Sequence, residues 1–138
     1  MHIVGPITPK SIGGKEYLLT VVDDWSQKAK VKFLKKSDTI DELKELITQM
    51  ECQAVKKLCR MRSDNGREFI STEMDEYFKE KGTIHEFTTA YTPMSYGVPE
   101  RMNRTLIEMV RTTLQDSQLA FQMWAEICLA MVHIKNNC

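Results

Sequence analysis

Apolar and polar positions along the chain change period several times, and each change marks an element. Residues 1–4 are apolar and end at Gly5-Pro6, which predicts a short strand stub. Residues 7–15 hold Pro9, Gly13 and Gly14 and read as a loop. Tyr17 to Val22 is almost wholly apolar or β-branched, as in a strand covered on both faces. Asp23-Asp24-Trp25-Ser26 is a turn, and Lys28 to Phe33 then alternates Lys28, Lys30 and Lys32 with Ala29, Val31 and Phe33. That period of two predicts a half-buried strand whose lysines guard a sheet edge. Ser37 is placed to cap a helix carrying Ile40, Leu43, Leu46, Ile47 and Met50 on one side. Val55 to Met61 is a candidate fourth strand that delivers Asp64 just beyond its end, and Thr72 to Lys81 is a short helix closed by Gly82. Thr83 to Phe87 is a fifth strand, Thr88 to Gly97 a loop, and Glu100 to Leu114 and Gln118 to about Asn136 two final helices. The order βββ-α-β-α-β-α-α predicts an α/β protein of the ribonuclease H-like kind: three layers, with a mixed five-stranded sheet between helices.

Composition narrows the reading only a little. With 138 residues, 42% hydrophobic and 28% charged, the chain has the size of one ordinary domain. Its formal net charge of zero requires that any nucleic-acid surface be a local patch. Cys52, Cys59, Cys128 and Cys138 form no CxxC pair and lack zinc-finger spacing, so they read as reduced thiols of an intracellular protein, nuclear or cytoplasmic. No signal-peptide pattern opens the chain, and the apolar run from Leu119 to Ile134 is too short and polar to span a membrane.

The candidate chemistry lies in Ser63-Asp64-Asn65-Gly66-Arg67-Glu68-Phe69 and in Gly97-Val98-Pro99-Glu100-Arg101-Met102-Asn103-Arg104-Thr105. The stretch between Asp64 and Glu100 has room for a helix, a strand and a loop, so the two acids can meet in space. Converging carboxylates are what a Mg²⁺ site for phosphoryl transfer needs.

These blocks, with Gly82-x-Ile84-His85-Glu86-Phe87, Tyr91-Thr92-Pro93, Gly5-Pro6, Asp23-Asp24-Trp25-Ser26 and Phe121-x-x-Trp124-Ala125-Glu126, resemble the integrase catalytic core of copia-type LTR retrotransposons. The resemblance runs over nearly the whole chain, residues 1–138, as a single core-like domain without the family's zinc and basic domains. It implies a polynucleotidyl transferase in which three carboxylates hold two Mg²⁺ (or Mn²⁺) ions, trim retroelement DNA ends and join them to target DNA. Asp64 matches the second carboxylate and Glu100 the third. Arg101, Asn103, Arg104, Arg111 and Tyr96 are the residues expected to contact DNA. A homodimer through the last two helices is a further expectation.

One departure dominates. The family's first catalytic Asp stands three residues before Gly-Pro, and here that position is His2. Imidazole is a poor Mg²⁺ ligand and cannot bridge two hard cations, so catalysis is expected to be impaired. Asp23 and Asp24 sit at the far end of the second strand and are not expected to substitute. Met94-Ser95-Tyr96 stands where relatives carry amides, and Gln27 where they carry a basic residue. The alternative is a relic or domesticated module that binds nucleic acid or protein without catalysis. His85 is expected to be structural, and Trp25 and Trp124 to be core or interface aromatics.

Overall fold

The computed structural model describes residues 1–64, 66–67, 69–88 and 93–138, the side chains of 93–97 excepted. Strand β1 is His2–Val4, β2 Tyr17–Val22 and β3 Ala29–Leu34; helix α1 is Thr39–Ala54, β4 Arg60–Ser63, α2 Thr72–Lys81, β5 Ile84–Phe87, α3 Pro93–Ser117 and α4 Trp124–Asn137. Strands β1, β2 and β3 form an antiparallel meander, and β4 and β5 pair in parallel, with Met61 opposite His85 and Ser63 opposite Phe87. The Met1 nitrogen donates to the Arg62 carbonyl at 2.6 Å, which lays the start of β1 beside β4. The expected five strands are all present. Among the described residues they form a three-stranded and a two-stranded sheet rather than one, because β1 is only three residues long and offers β4 little ladder.

Alternation along β2 builds the three layers. Leu19 and Val21 join Leu43, Leu46 and Ile47 of α1 and Met74 and Phe78 of α2 in one core. Leu18 joins Met102, Leu106 and Val110 of α3 and Trp124, Ile127 and Cys128 of α4 in the other, with Val22 packed against it. A strand covered on both faces must be apolar at consecutive positions, which is what Tyr17–Val22 shows. Burying one such side chain contributes about 1.5–3 kcal/mol.

Several boundaries differ from the pattern. The candidate strand 55–61 is instead a connection followed by a later strand. Val55 closes α1 in the left-handed region at φ 52°, and the Glu51 carboxylate accepts from the Leu58 N–H at 2.7 Å and pairs with Lys81 at 2.6 Å. Those bonds hold the segment off the sheet until Arg60. Ser37 lies in a 3₁₀ turn, Lys36–Asp38, and α1 starts without a side-chain cap. Helix α3 begins at Pro93 and carries Pro99 inside it, so 93–97, expected as loop, are helical, while 89–92 lie outside the described residues. A second 3₁₀ turn, Phe121–Met123, precedes α4. Lys32 is not a free edge guard: its ammonium reaches Glu42 at 3.1 Å and Glu45 at 3.0 Å on α1.

The two tryptophans, both expected as core or interface aromatics, separate. Trp124 is buried, packs edge-on against Phe33 and donates its indole N–H to the Pro9 carbonyl at 3.0 Å. Trp25 is 95% exposed.

Candidate catalytic site

Asp64 is the first residue past β4, and the chain turns on its side chain. Oδ1 accepts from the Gly66 N–H at 3.0 Å, an Asx turn, and the Gly66 carbonyl accepts from the Phe69 N–H at 3.0 Å. Phe69 is buried in the core shared with α1 and α2, so the turn is anchored from behind. The strand end in front of Asp64 is anchored too. Ser63 Oγ lies 2.7 Å from His85 Nε2 on β5, and the Ser63 carbonyl accepts from the Thr88 N–H at 2.9 Å and its hydroxyl at 3.2 Å.

The other carboxylate oxygen, Oδ2, lies 3.2 Å from His2 Nδ1 on β1. A carboxylate only accepts, so the proton of this contact belongs on Nδ1. The side chains of His2 and Asp64 are 23% and 33% exposed, so the pair opens to solvent. The position where the sequence lacks an acid and the position of the second acid therefore meet.

Glu100 is differently placed. It lies in the second turn of α3, its carboxylate is 58% exposed, and it pairs with Arg104 of the next turn at 3.8 Å. Arg101, Arg104 and Arg111 are exposed on the same helix. Asn103, expected on a DNA surface, is instead 2% exposed on the inner side of α3, where neither its Oδ1 nor its Nδ2 has a partner among the described residues. Its neighbour Met102 and the following Leu106 both belong to the core, which places position 103 on the inner face by helical spacing. The Tyr96 side chain lies outside the described residues. Asp23 folds into its own turn, where both the N–H and the hydroxyl of Ser26 donate to its Oδ2 at 2.9 and 2.6 Å; these bonds hold its carboxyl below the usual range.

The described residues at Asp64 bring together one carboxylate and one imidazole, a donor set that by itself does not fit two Mg²⁺ ions. Among the described residues no three His, Cys, Asp or Glu side chains gather as a metal centre. One Asp64 oxygen is taken by a backbone N–H and the other by an imidazole, where Mg²⁺ requires oxygen ligands in near-octahedral array.

Pattern reading missed Ser63 and His85 as parts of the site. His85 sits between Phe78 and Phe87, ring centroids 4.8 and 4.3 Å away, and burial pushes its imidazole pKa down. The available signal was the pairing of two parallel strands, each carrying one polar side chain toward the other. Thr20, opposite His2 on β2, is also buried, and its hydroxyl has no partner among the described residues.

Comparison with known proteins gives this frame a family. The family model described as the integrase core domain matches residues 1–93, and the chain belongs to that family. A retrovirus-related Pol polyprotein from transposon TNT 1-94 of Nicotiana tabacum is 38% identical over 136 residues, which are 98% of this chain and 10% of that protein. The truncated transposon Ty1-A Gag-Pol polyprotein of Saccharomyces cerevisiae is 26% identical over 125 residues, 88% of this chain and again 10% of the relative. The chain thus spans about a tenth of these polyproteins. Among solved structures, the HTLV-2 integrase catalytic core domain in complex with magnesium aligns with a TM-score of 0.62 at 20% identity, covering 94% of this chain and 80% of that one. The simian T-cell lymphotropic virus intasome in complex with the PP2A regulatory subunit B56 gamma gives 0.65 at 22% identity, covering 82% and 40%. The ribonuclease H-like expectation is met. No described helix is long and apolar enough to cross a membrane.

Proposed function

We propose that this chain is a retrotransposon integrase core, built for DNA 3′-end processing and strand transfer, in which His2 has disabled the two-Mg²⁺ chemistry. One observation carries the reading: His2 Nδ1 stands 3.2 Å from Asp64 Oδ2. A histidine placed anywhere else would be incidental. Here it occupies the place of the first carboxylate and contacts the second, in a site that then lacks the negative charge to gather two divalent cations. Asp64 and Glu100 are the surviving acids. Arg101, Arg104 and Arg111 on the exposed side of α3 are suited to phosphate contact, so DNA is the partner this reading assigns. Exposed Phe121, Leu129 and Ile134 near and along α4 favour a second copy of the chain as a further partner. Work on DNA places the protein inside the cell.

The test is His2→Asp in the 138-residue chain with Mn²⁺. Disintegration of a branched DNA substrate is expected to rise about tenfold or more over wild type, the rate equivalent of some 1.4 kcal/mol. No rise removes His2 as the missing ligand. Cutting by the wild type that Asp64→Asn abolishes removes the impairment.

A second reading, an interaction module without catalysis, has its own observation. Trp25 is almost wholly exposed on a turn braced by Asp23, Ser26 and Gln27. A large apolar ring presented to solvent on a hydrogen-bonded turn is suited to a partner surface.

A further inference from the structure

Among the described residues, five buried side-chain polar atoms lack a partner, and His85 Nδ1 is one of them. Its other nitrogen is fully engaged. His85 Nε2 meets Ser63 Oγ at 2.7 Å, and Ser63 is 0% exposed. Retaining an imidazole among Phe78, Phe87 and Ser63 with one nitrogen unsatisfied costs desolvation that an apolar side chain would avoid. What the arrangement gains is position. Ser63 is the last residue of β4, and the next residue is Asp64.

We infer that His85 is a positioning residue for Asp64, acting through the Ser63 hydroxyl. Two strands paired over four residues are a weak anchor for a functional side chain. Here the final β4 residue is tied to β5 through its hydroxyl, by His85, and through its carbonyl, by the Thr88 N–H and hydroxyl. Rotation of the Ser63–Asp64 peptide would break both Thr88 bonds, while the His85 bond holds the Ser63 side chain and with it the Cα from which that peptide departs. With that peptide fixed, the Asp64 carboxylate is aimed at Gly66 on one side and His2 on the other. His85 is in turn fixed by its ring contacts with Phe78, which is fully buried, and Phe87. The chain of control therefore runs from the α2 core, through an aromatic stack and one hydrogen bond, to a carboxylate orientation. This inference rests on the site reading above only for its use in catalysis; the orientation itself stands apart from it.

The experiment compares His85→Leu, His85→Gln and Ser63→Ala in the full chain by amide hydrogen exchange. Leucine keeps apolar bulk and loses the bond. Glutamine places an amide N–H close to where Nε2 stands, and alanine removes the hydroxyl with little change of volume. The Gly66 amide, which reports the Asp64 turn, is expected to exchange about tenfold faster in His85→Leu and Ser63→Ala, within the range of lost outer-shell support. His85→Gln should restore it, while the Leu18 to Val21 amides of β2 stay unchanged in all three. Unchanged Gly66 exchange in both His85→Leu and Ser63→Ala overturns the inference. So does failure of His85→Gln to restore it in a folded chain. If His85→Leu unfolds, with β2 amides exposed as well, Ser63→Ala decides alone. Adding His85→Leu to His2→Asp should lower the Mn²⁺-dependent DNA reaction about tenfold. A Gly66 response in a His2→Asp chain that stays inert would sink the catalytic reading and leave the positioning role standing.

Discussion

Asp64 and Glu100 look alike in sequence, each an acid inside a dense motif, and the structure treats them differently. Asp64 follows a strand and precedes a buried phenylalanine, with both carboxylate oxygens engaged. Glu100 stands on an exposed helix face, with one weak contact to an arginine of its own helix. An acid can thus be held by the fold or merely carried by it. The strand end has its geometry set by the chain alone. The helix-borne acid has none of that support, and its orientation is left to whatever approaches from solvent.

That contrast can be broken most forcefully from the core. Phe69→Ala empties the space behind the Asp64 turn and is expected to destabilise by about 3–5 kcal/mol, read by chemical denaturation. A loss under 1 kcal/mol would mean that the turn is not anchored there. Next in size, Asp64→Asn removes the charge facing His2 in a partly exposed pair and should cost about 0.5–1 kcal/mol, whereas Glu100→Gln should stay within about 0.5 kcal/mol of wild type. Equal effects would erase the difference between the two acids. The smallest effect is on pH dependence at the β2–β3 turn. Bonds from Ser26 depress the Asp23 pKa below its ordinary 3.8, so their stabilisation is present above that value and is lost as pH falls through the lower folded one. Ser26→Ala should remove part of that acid sensitivity below pH 3.8, seen as a flatter thermal midpoint against pH.

Legibility in the sequence follows the same division. Strand β2 and helix α2 were readable to the residue, because each has a pattern with one solution: a doubly covered apolar run, and a helix whose Ser71 hydroxyl accepts from the Met74 N–H and whose Gly82 closes it at φ 69°. Strand β4 was displaced because Val55 and Leu58 supply apolar character ahead of the true strand, and the Glu51 bonds that decide the matter join residues distant in the chain. Polar character with Pro93 and Gly97 reads as loop, while α3 starts at Pro93, where a first-turn proline is tolerated, and runs on through Pro99. For the site, the motif blocks located Asp64, Glu100 and the His2 departure. Asn103 turning inward was open to helical spacing, through its core neighbours Met102 and Leu106, whereas His85 reaching Ser63 joins two strands that sequence spacing does not bring together.

The two cores share a single strand as their common wall. Leu18 faces one and Leu19 the other, so neighbouring codons answer to separate sets of partners. Substitution in this stretch can be tolerated one face at a time. Insertion cannot: a single added codon between Leu18 and Val21 would preserve the reading frame and yet exchange the tenants of both cores beyond it. Residue identity along β2 can therefore change one face at a time, but the length of the strand is not free to change while the fold lasts.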